Sequence, residues 1–250
     1  MKKSIGVIGF GAFGAFIAPI LARHFEVLVS TRRKVGNPPK GVSFVSLEQA
    51  ANCNIVVLSV NAQAIEEVLL KIKPLLRPGT LVIDVCSVKV MPVKLMNKIL
   101  PTNVQVLGTH PVFGPESGKH GIAGLPVALC PVRIDAKTLA RIKDFLQNAL
   151  ELEVVEISPE DHDREMAYAL ALTHLISRSL NNLPLPELKL PTKSYKLLQA
   201  VRGNLQNDSI ELFHTIQNYN SFAKQVRRNF VKRVQELEHK IETHDKNNVQ

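Results

Sequence analysis

"KSIGVIGFGAFGAFIAPILARH", Lys3 to His24, decides how the rest of the chain is read. Its first residues are apolar and β-branched; glycines then fall at 6, 9, 11 and 14, and a run of helical periodicity follows. A secretory leader or a short membrane span also opens on lysines and an uncharged run. Each glycine, however, lowers helix propensity by about 1 kcal/mol relative to alanine, which argues against one helix through the whole stretch. A strand, a tight turn and a helix fit the spacing better. In GxGxxG at such a turn, the first glycine permits the turn and the second lets the backbone approach a pyrophosphate. The third lets helix and strand pack closely. The phosphates would sit at the helix N-terminus, where amide donors and the dipole favour negative charge. Gly9, Phe10, Gly11, Ala12, Phe13 and Gly14 therefore form the candidate phosphate turn of a dinucleotide site.

Working outward, strands and helices alternate. "FEVLVSTRR" reads as a second strand, followed by "VSFV", the helix "SLEQAAN", the strand "NIVVLSV", the helix "AQAIEEVLLKIKPLL" and the strand "TLVIDVCS". Further strands are expected at "VQVLGT" and "LPVALCP", and a helix at "DAKTLARIKDFLQNAL". Apolar strands alternating with helices imply a parallel sheet covered on both faces. The alternation stops near Ser158, where "SPEDHDREMAYALALTHLISRSL" opens one helix with a serine cap, a proline and acidic residues. The expected class is α/β: an N-terminal Rossmann-type doubly wound, mostly parallel sheet at 1–157, followed by an all-helical domain at 158–250.

The end of the second strand selects the dinucleotide. NAD sites place an acid about 20 residues past the glycines, on the ribose hydroxyls. Here that place reads Ser30, Thr31, Arg32, Arg33, Lys34, and Glu26 comes too early in the strand to serve. Hydroxyls beside two arginines suit a 2′-phosphate, because guanidinium pairs with phosphate bidentately. The cofactor expected is NADP. Ser59, Val60 and Asn61 after the fourth strand, and Cys86 after the fifth, are assigned to the same cofactor edge.

Composition bounds the rest. The 250 residues are 45% hydrophobic and 21% charged, an ordinary soluble balance. Cys53, Cys86 and Cys130 show no CxxC spacing, so neither a disulfide framework nor a metal site is expected, and a reducing, cytoplasmic setting fits. The net charge of +9 gathers partly in "KQVRRNFVKRVQELEHK", which also carries acids and reads as a solvated helix face. Neither nucleic acid nor a membrane is an expected partner.

"GTHPVFGPESGK", Gly108 to Lys119, asks for a chemical explanation, because a turn needs glycine and proline but has no use for an imidazole. It follows a strand of the same sheet, and "DVCSVK", Asp84 to Lys89, closes the preceding one. Ligands of open α/β sheets bind beyond the carboxyl ends of the strands, so His110, Ser87 and Lys89 should converge there.

Together "GFGAFG", "STRR", "DVCSVK", "THPVFGPESGK", "THLISRSL" and "ELFHTIQNYN" resemble the prephenate/arogenate dehydrogenase family of tyrosine biosynthesis, and its short, NADP-using arogenate type in particular. The resemblance spans nearly the whole chain. It implies oxidative decarboxylation of a cyclohexadienol, with His110 as the catalytic proton acceptor and Ser87 as its hydrogen-bonding companion. Glu116, Ser117 and Gly118 would line the pocket, the glycine-rich turn offering amides to a carboxylate, and Lys89 would either neutralise a substrate carboxylate or cap the adjacent helix. Thr173, His174 and Arg202 would contribute from the helical half. Where many bacterial relatives carry a second histidine and a later arginine, this chain has Ser177 and Asn204, with Arg202 two residues before the latter. The resemblance also implies a homodimer through the helical domain, for which Phe222, Val226, Phe230 and Val234 offer an apolar stripe. No appended regulatory or mutase domain is expected. Two other readings stay open: an NADP-linked oxidoreductase of the pyrroline-5-carboxylate reductase or β-hydroxyacid dehydrogenase type, or a catalytically silent NADP-binding protein. The first has no need of "THPVFGPESGK"; the missing second histidine and arginine favour the second, and the intact His110/Ser87 pair counts against it.

Overall fold

The computed structural model describes residues 3–204 and 208–247. The chain divides into two compact units, Met1–His162 and Asp163–Gln250. The division falls inside the helix Pro159–Met166, whereas the sequence reading placed it just before that helix.

The first unit is built on one eight-stranded sheet. Its elements are β1 (Ser4–Ile8), α1 (Ala12–Leu21), β2 (Glu26–Ser30), β3 (Val42–Phe44), α2 (Leu47–Ala51), β4 (Ile55–Leu58), α3 (Ile65–Ile72), β5 (Leu81–Asp84), α4 (Val90–Ile99), β6 (Gln105–Pro111), β7 (Pro126–Arg133), α5 (Ala136–Asp144) and β8 (Glu153–Glu156). The strand order is β3-β2-β1-β4-β5-β6-β7-β8. The sheet reverses its winding at β1/β4, the crevice where such folds bind ligands. Among the described residues only the β6–β7 pairing is antiparallel.

Alternation along the strands explains why they read as unbroken apolar runs. Val57 and Leu107 face one core with Ile17, Ala18 and Leu21 of α1. Val56, Leu58 and Val106 face the other, against Ile65, Leu69 and Ile72 of α3 and Met96 of α4. Burying such a side chain stabilises by about 1.5–3 kcal/mol, and both faces need covering. Local signals set the helix starts. Ser46 and Gln49 form a reciprocal capping box at α2, and Asp135 caps α5 through the Thr138 amide at 2.9 Å.

Two features depart from expectation. β8, which the sequence reading lacked, is a short edge strand with mostly exposed side chains, so it has no apolar run to announce it. His110 lies inside β6 rather than in a following loop. The parallel partner β5 ends at the Asp84–Gly108 pair, but antiparallel β7 carries the ladder on past Thr109 and His110 to Pro111.

The second unit is helical. After α6 (Pro159–Met166) comes a π-helical stretch, Ala167–Leu172, then α7 (Thr173–Asn181), α8 (Lys193–Asn204), α9 (Ile210–Tyr219) and α10 (Ala223–Asn247). The single helix expected from Pro159 to Leu180 is thus interrupted. A π turn leaves carbonyls without their usual partners, and Gln217 Nε2 donates to the Ala171 carbonyl at 2.6 Å. Asn220 Nδ2 donates to the Asp163 carbonyl at 2.7 Å. "QNYN" therefore supplies buried amides that tie α9 to the preceding chain. Among the described residues no helix is long and apolar enough to cross a membrane.

Candidate active site

The glycine turn takes the conformation its spacing requires. Gly9 has φ +105, and a Cβ there would lie 2.2 Å from the Ser59 carbonyl oxygen. A Cβ on Gly14 would lie 2.5 Å from the Gly9 oxygen. Gly11 differs: it caps α1, and nothing lies within 4 Å of where its Cβ would be. The first and third glycines are needed for the chain to pack against itself, and the second leaves open space at a helix N-terminus. These residues fit a dinucleotide phosphate. Phe10 and Phe13 pack into the adjacent core, and Ala12 begins the helix.

Ser59 and Val60 are half-buried beside the turn, and Asn61 caps the short helical turn that leads into α3. At the end of β2, Thr31 Oγ1 accepts from the Arg33 amide at 3.1 Å, which fixes the loop. The Arg33 side chain is exposed. Arg32 is exposed too and lies 3.5 Å from Glu67 of α3. Neither the last residue of β2 nor the loop from Thr31 to Gly36 is acidic.

The second cluster gathers beyond β5 and β6. Thr109 Oγ1 donates to the Asp84 carbonyl at 2.7 Å. Lys89 Nζ bonds the Asp84 carboxylate and donates to the Thr109 carbonyl at 2.6 Å. These bonds staple the 84–89 turn to the strand that carries His110. Burial pushes the Asp84 carboxyl up from its ordinary value, and the Lys89 ammonium opposes that shift. Of the two roles expected of Lys89, the structure places the residue at the start of α4, its side chain 0% exposed and engaged with Asp84, where it holds the 84–89 turn.

His110 is buried at 6% exposure. Its Nδ1 lies 2.9 Å from Nε2 of His162, the fourth residue of α6. Burial, with the Lys89 ammonium acting in the same direction, holds the His110 pKa well below the ordinary imidazole value. The ring is therefore neutral at neutral pH and available as a proton acceptor. Ser87 makes no bond to His110; its Oγ is buried without a hydrogen-bond partner. Cys86 donates its amide to Asp84 Oδ1 at 3.0 Å, and burial pushes its thiol up to about 11.

The turn after β6 makes several bonds within itself. The Gly118 amide donates to the Gly114 carbonyl at 2.8 Å and so does not present itself to a carboxylate. Ser117 Oγ accepts from the Gly114 amide at 3.0 Å. Glu116 pairs with Lys119 at 2.5 Å, and both are solvent-exposed. Gly118 is needed for packing, since a Cβ there would lie 2.5 Å from the Phe16 ring.

Within the helical unit, Thr173 Oγ1 bonds back to the Ala169 carbonyl at 2.6 Å. His174 is 2% exposed, its Nε2 3.6 Å from Asp208 and its Nδ1 without a hydrogen-bond partner. Arg202 Nε donates to Asn181 Oδ1 at 3.2 Å, and Ser177 Oγ donates to the Arg202 carbonyl at 3.3 Å, joining α7 to α8. The Asn204 side chain lies outside the described residues. Of the apolar stripe on α10, Val226 is buried, whereas Val234 is 50% exposed. Among the described residues no group of three or more His, Cys, Asp and Glu side chains is placed to hold a metal.

Sequence reasoning missed His162, Asp84 and Thr109. His162 was read only as part of an acidic first turn, although a histidine one turn inside a serine-capped helix start was visible. Asp84 ends a strand otherwise made of apolar residues, which was also a signal.

Comparison with known proteins identifies this arrangement. Residues 41–151 match the family model "Prephenate dehydrogenase, nucleotide-binding domain", and residues 179–250 match "TYRAAT1-like, C-terminal domain". Arogenate dehydrogenase 2, chloroplastic, of Arabidopsis thaliana is 34% identical over 231 residues, covering 88% of this chain and 64% of that protein. Arogenate dehydrogenase 1, chloroplastic, of the same plant is 32% identical over 233 residues, covering 89% of this chain and 36% of that protein. The chain thus spans less than two thirds of either relative's length. In fold it is similar to a crystal structure of prephenate dehydrogenase from A. aeolicus in complex with hydroxyphenyl propionate and NAD+. The TM-score is 0.71 at 19% identity, over 98% of this chain and 93% of that one. Residues 41–151 match the family's nucleotide-binding model and two relatives above 30% identity span most of this chain, so this protein belongs to the prephenate/arogenate dehydrogenase family.

Proposed function

We propose that this chain carries out NADP-dependent oxidative decarboxylation of prephenate or arogenate, giving 4-hydroxyphenylpyruvate or tyrosine. The observation that carries the reading is His110: a buried, neutral imidazole held at the carboxyl edge of the sheet whose first turn fits a dinucleotide. A nicotinamide cofactor is further supported by the nucleotide-binding model that the chain matches. The choice of NADP rests on the end of β2, with Ser30, Thr31 and the exposed Arg33 in place of an acid.

The chemistry asks little of the protein beyond placement. The cofactor, when bound, supplies the acceptor for the hydride that leaves C4 of the ring. His110 Nε2 takes the proton of the 4-hydroxyl while the O–H electron pair stays on oxygen. The ring carboxylate departs as CO2, its bonding pair completes the aromatic ring, and the proton returns from His110 Nε2 to the phenolate oxygen. His110 must be neutral and oriented, and the Asp84–Lys89–Thr109 staple fixes the strand that carries it. Ser87 Oγ, buried and unpaired, is a donor for the substrate or cofactor edge. In this reading the protein works in the cytoplasm as a homodimer paired through its helical unit.

The test supplies prephenate and arogenate separately, each with NADP and then with NAD, and follows reduced-cofactor absorbance. Turnover of either acid, faster with NADP, is the expected result, and the preferred acid assigns the branch. A protein that binds NADP and turns over neither acid would overturn the catalytic reading.

A further inference from the structure

The contact between His110 and His162 constrains both rings. The two nitrogens are 2.9 Å apart, the ring planes cross at 77°, and both side chains are buried, His162 to 1% exposure. A nitrogen–nitrogen contact of that length is a hydrogen bond only if one nitrogen carries a proton and the other does not. Two N–H groups would repel, and so would two lone pairs. The tautomers are therefore locked together. A proton on His110 Nδ1 requires a bare Nε2 on His162, and the reverse arrangement leaves His110 protonated on its own Nε2.

We propose that His162 is a positioning residue: its Nε2 lone pair accepts from His110 Nδ1–H and thereby keeps His110 Nε2 unprotonated for the substrate hydroxyl. The inference rests on the function proposed above, in which His110 is the proton acceptor. Among the described residues His110 Nε2 takes no hydrogen bond, so His162 is the group that selects the tautomer. The pair also accommodates the outcome of proton transfer. When the substrate O–H bond breaks and its proton goes to His110 Nε2, His110 becomes an imidazolium with two N–H groups. Its Nδ1–H bond to His162 then becomes charge-assisted and stronger. The charged groups around the rings are Lys89 and Asp84. Asp84 Oδ2 makes no hydrogen bond.

Local structure places His162 firmly. Ser158 Oγ accepts from the Asp161 amide at 3.1 Å, and the His162 amide donates to the Ser158 carbonyl at 2.9 Å. With Pro159 at the first helical position, the turn that presents the imidazole is preorganised.

Two substitutions in the full chain separate positioning from simple packing. His162→Gln puts an amide oxygen near the lost Nε2, where it can still accept from His110 Nδ1–H. His162→Leu fills space but accepts nothing. The expected result is kcat within about 10-fold of the parent for His162→Gln and a fall of about 10²–10⁴-fold for His162→Leu, with KM changed little in either. Ring-nitrogen NMR of the cofactor-free protein, with His110 assigned by its loss in His110→Asn, should show Nδ1–H in the parent and in His162→Gln. In His162→Leu it should show Nε2–H. An Nε2–H tautomer at His110 in the parent, or parental kcat in His162→Leu, would overturn the proposal. If His162→Leu does not fold, the parent spectrum and His162→Gln still decide. Failure of the function itself looks different: no turnover by the parent, or full activity in His110→Asn. The tautomer spectrum then judges His162 alone.

Discussion

The glycine turn and the histidine cluster lie along the same sheet and are built on opposite principles. The turn is backbone: Gly9 and Gly14 exist so that the chain can pass close to itself, and Gly11 so that something else can approach. Its parts lie within a few residues of one another. The cluster is side chain: Asp84, Lys89, Thr109, His110 and His162 come from three separated segments and mean nothing until the sheet and α6 assemble them. A site made of backbone shape survives many side-chain changes but no added Cβ. A site made of buried polar side chains depends on every partner being present.

That contrast can be broken in graded ways. Lys89→Met leaves the Asp84 carboxylate buried without its ammonium and should cost about 3–5 kcal/mol in denaturant unfolding, the largest single effect. A loss below about 1 kcal/mol would show that the staple is dispensable. Gly9→Ala meets both the Ser59 carbonyl and a left-handed backbone, and should cost about 2–4 kcal/mol by the same measurement. Gly11→Ala sharpens the comparison. With open space around it, stability should change by less than about 1 kcal/mol, while calorimetry should show NADP affinity falling more than about 10-fold. Equal losses of stability at positions 9 and 11 would contradict the division of labour.

Acid should weaken the fold more gently. Burial lowers the pKa of His110, and also that of His174. Below the ordinary imidazole value of about 6.5 the unfolded chain takes up protons that the folded chain refuses, so stability is full above that pH and is lost as pH falls through it. Each such histidine contributes a slope of up to about 1.4 kcal/mol per pH unit. Thermal melts between pH 7 and pH 5 should show the decline, and His110→Asn should flatten it. A melting temperature insensitive to pH across that window would contradict the buried, neutral assignment.

The same contrast explains what was legible in the sequence. GxGxxG, the β2 end without an acid, and the alternation of strand and helix are local patterns, and all of them lie where the residues indicated. His110 was legible as an anomaly, an imidazole in a segment that needed none. Lys89 was legible only as a choice of two roles, because nothing local says whether its ammonium meets a ligand or the Asp84 carboxylate. His162 was invisible as a partner, because nothing in "SPEDHDREM" says which side of the helix start turns toward His110. The π segment at Ala167–Leu172 and the edge strand β8 were missed for a related reason: one is set by Gln217 and tertiary packing, the other by pairing with β7.

The measurement that tests the account most directly is His110→Asn, assayed for turnover and for NADP affinity in one preparation. The account predicts a turnover loss of about 10²–10⁴-fold with the dissociation constant for NADP changed by less than about 2-fold, because the glycine turn and the cluster are separate constructions. Retained turnover, or cofactor affinity lost together with it, would contradict the account.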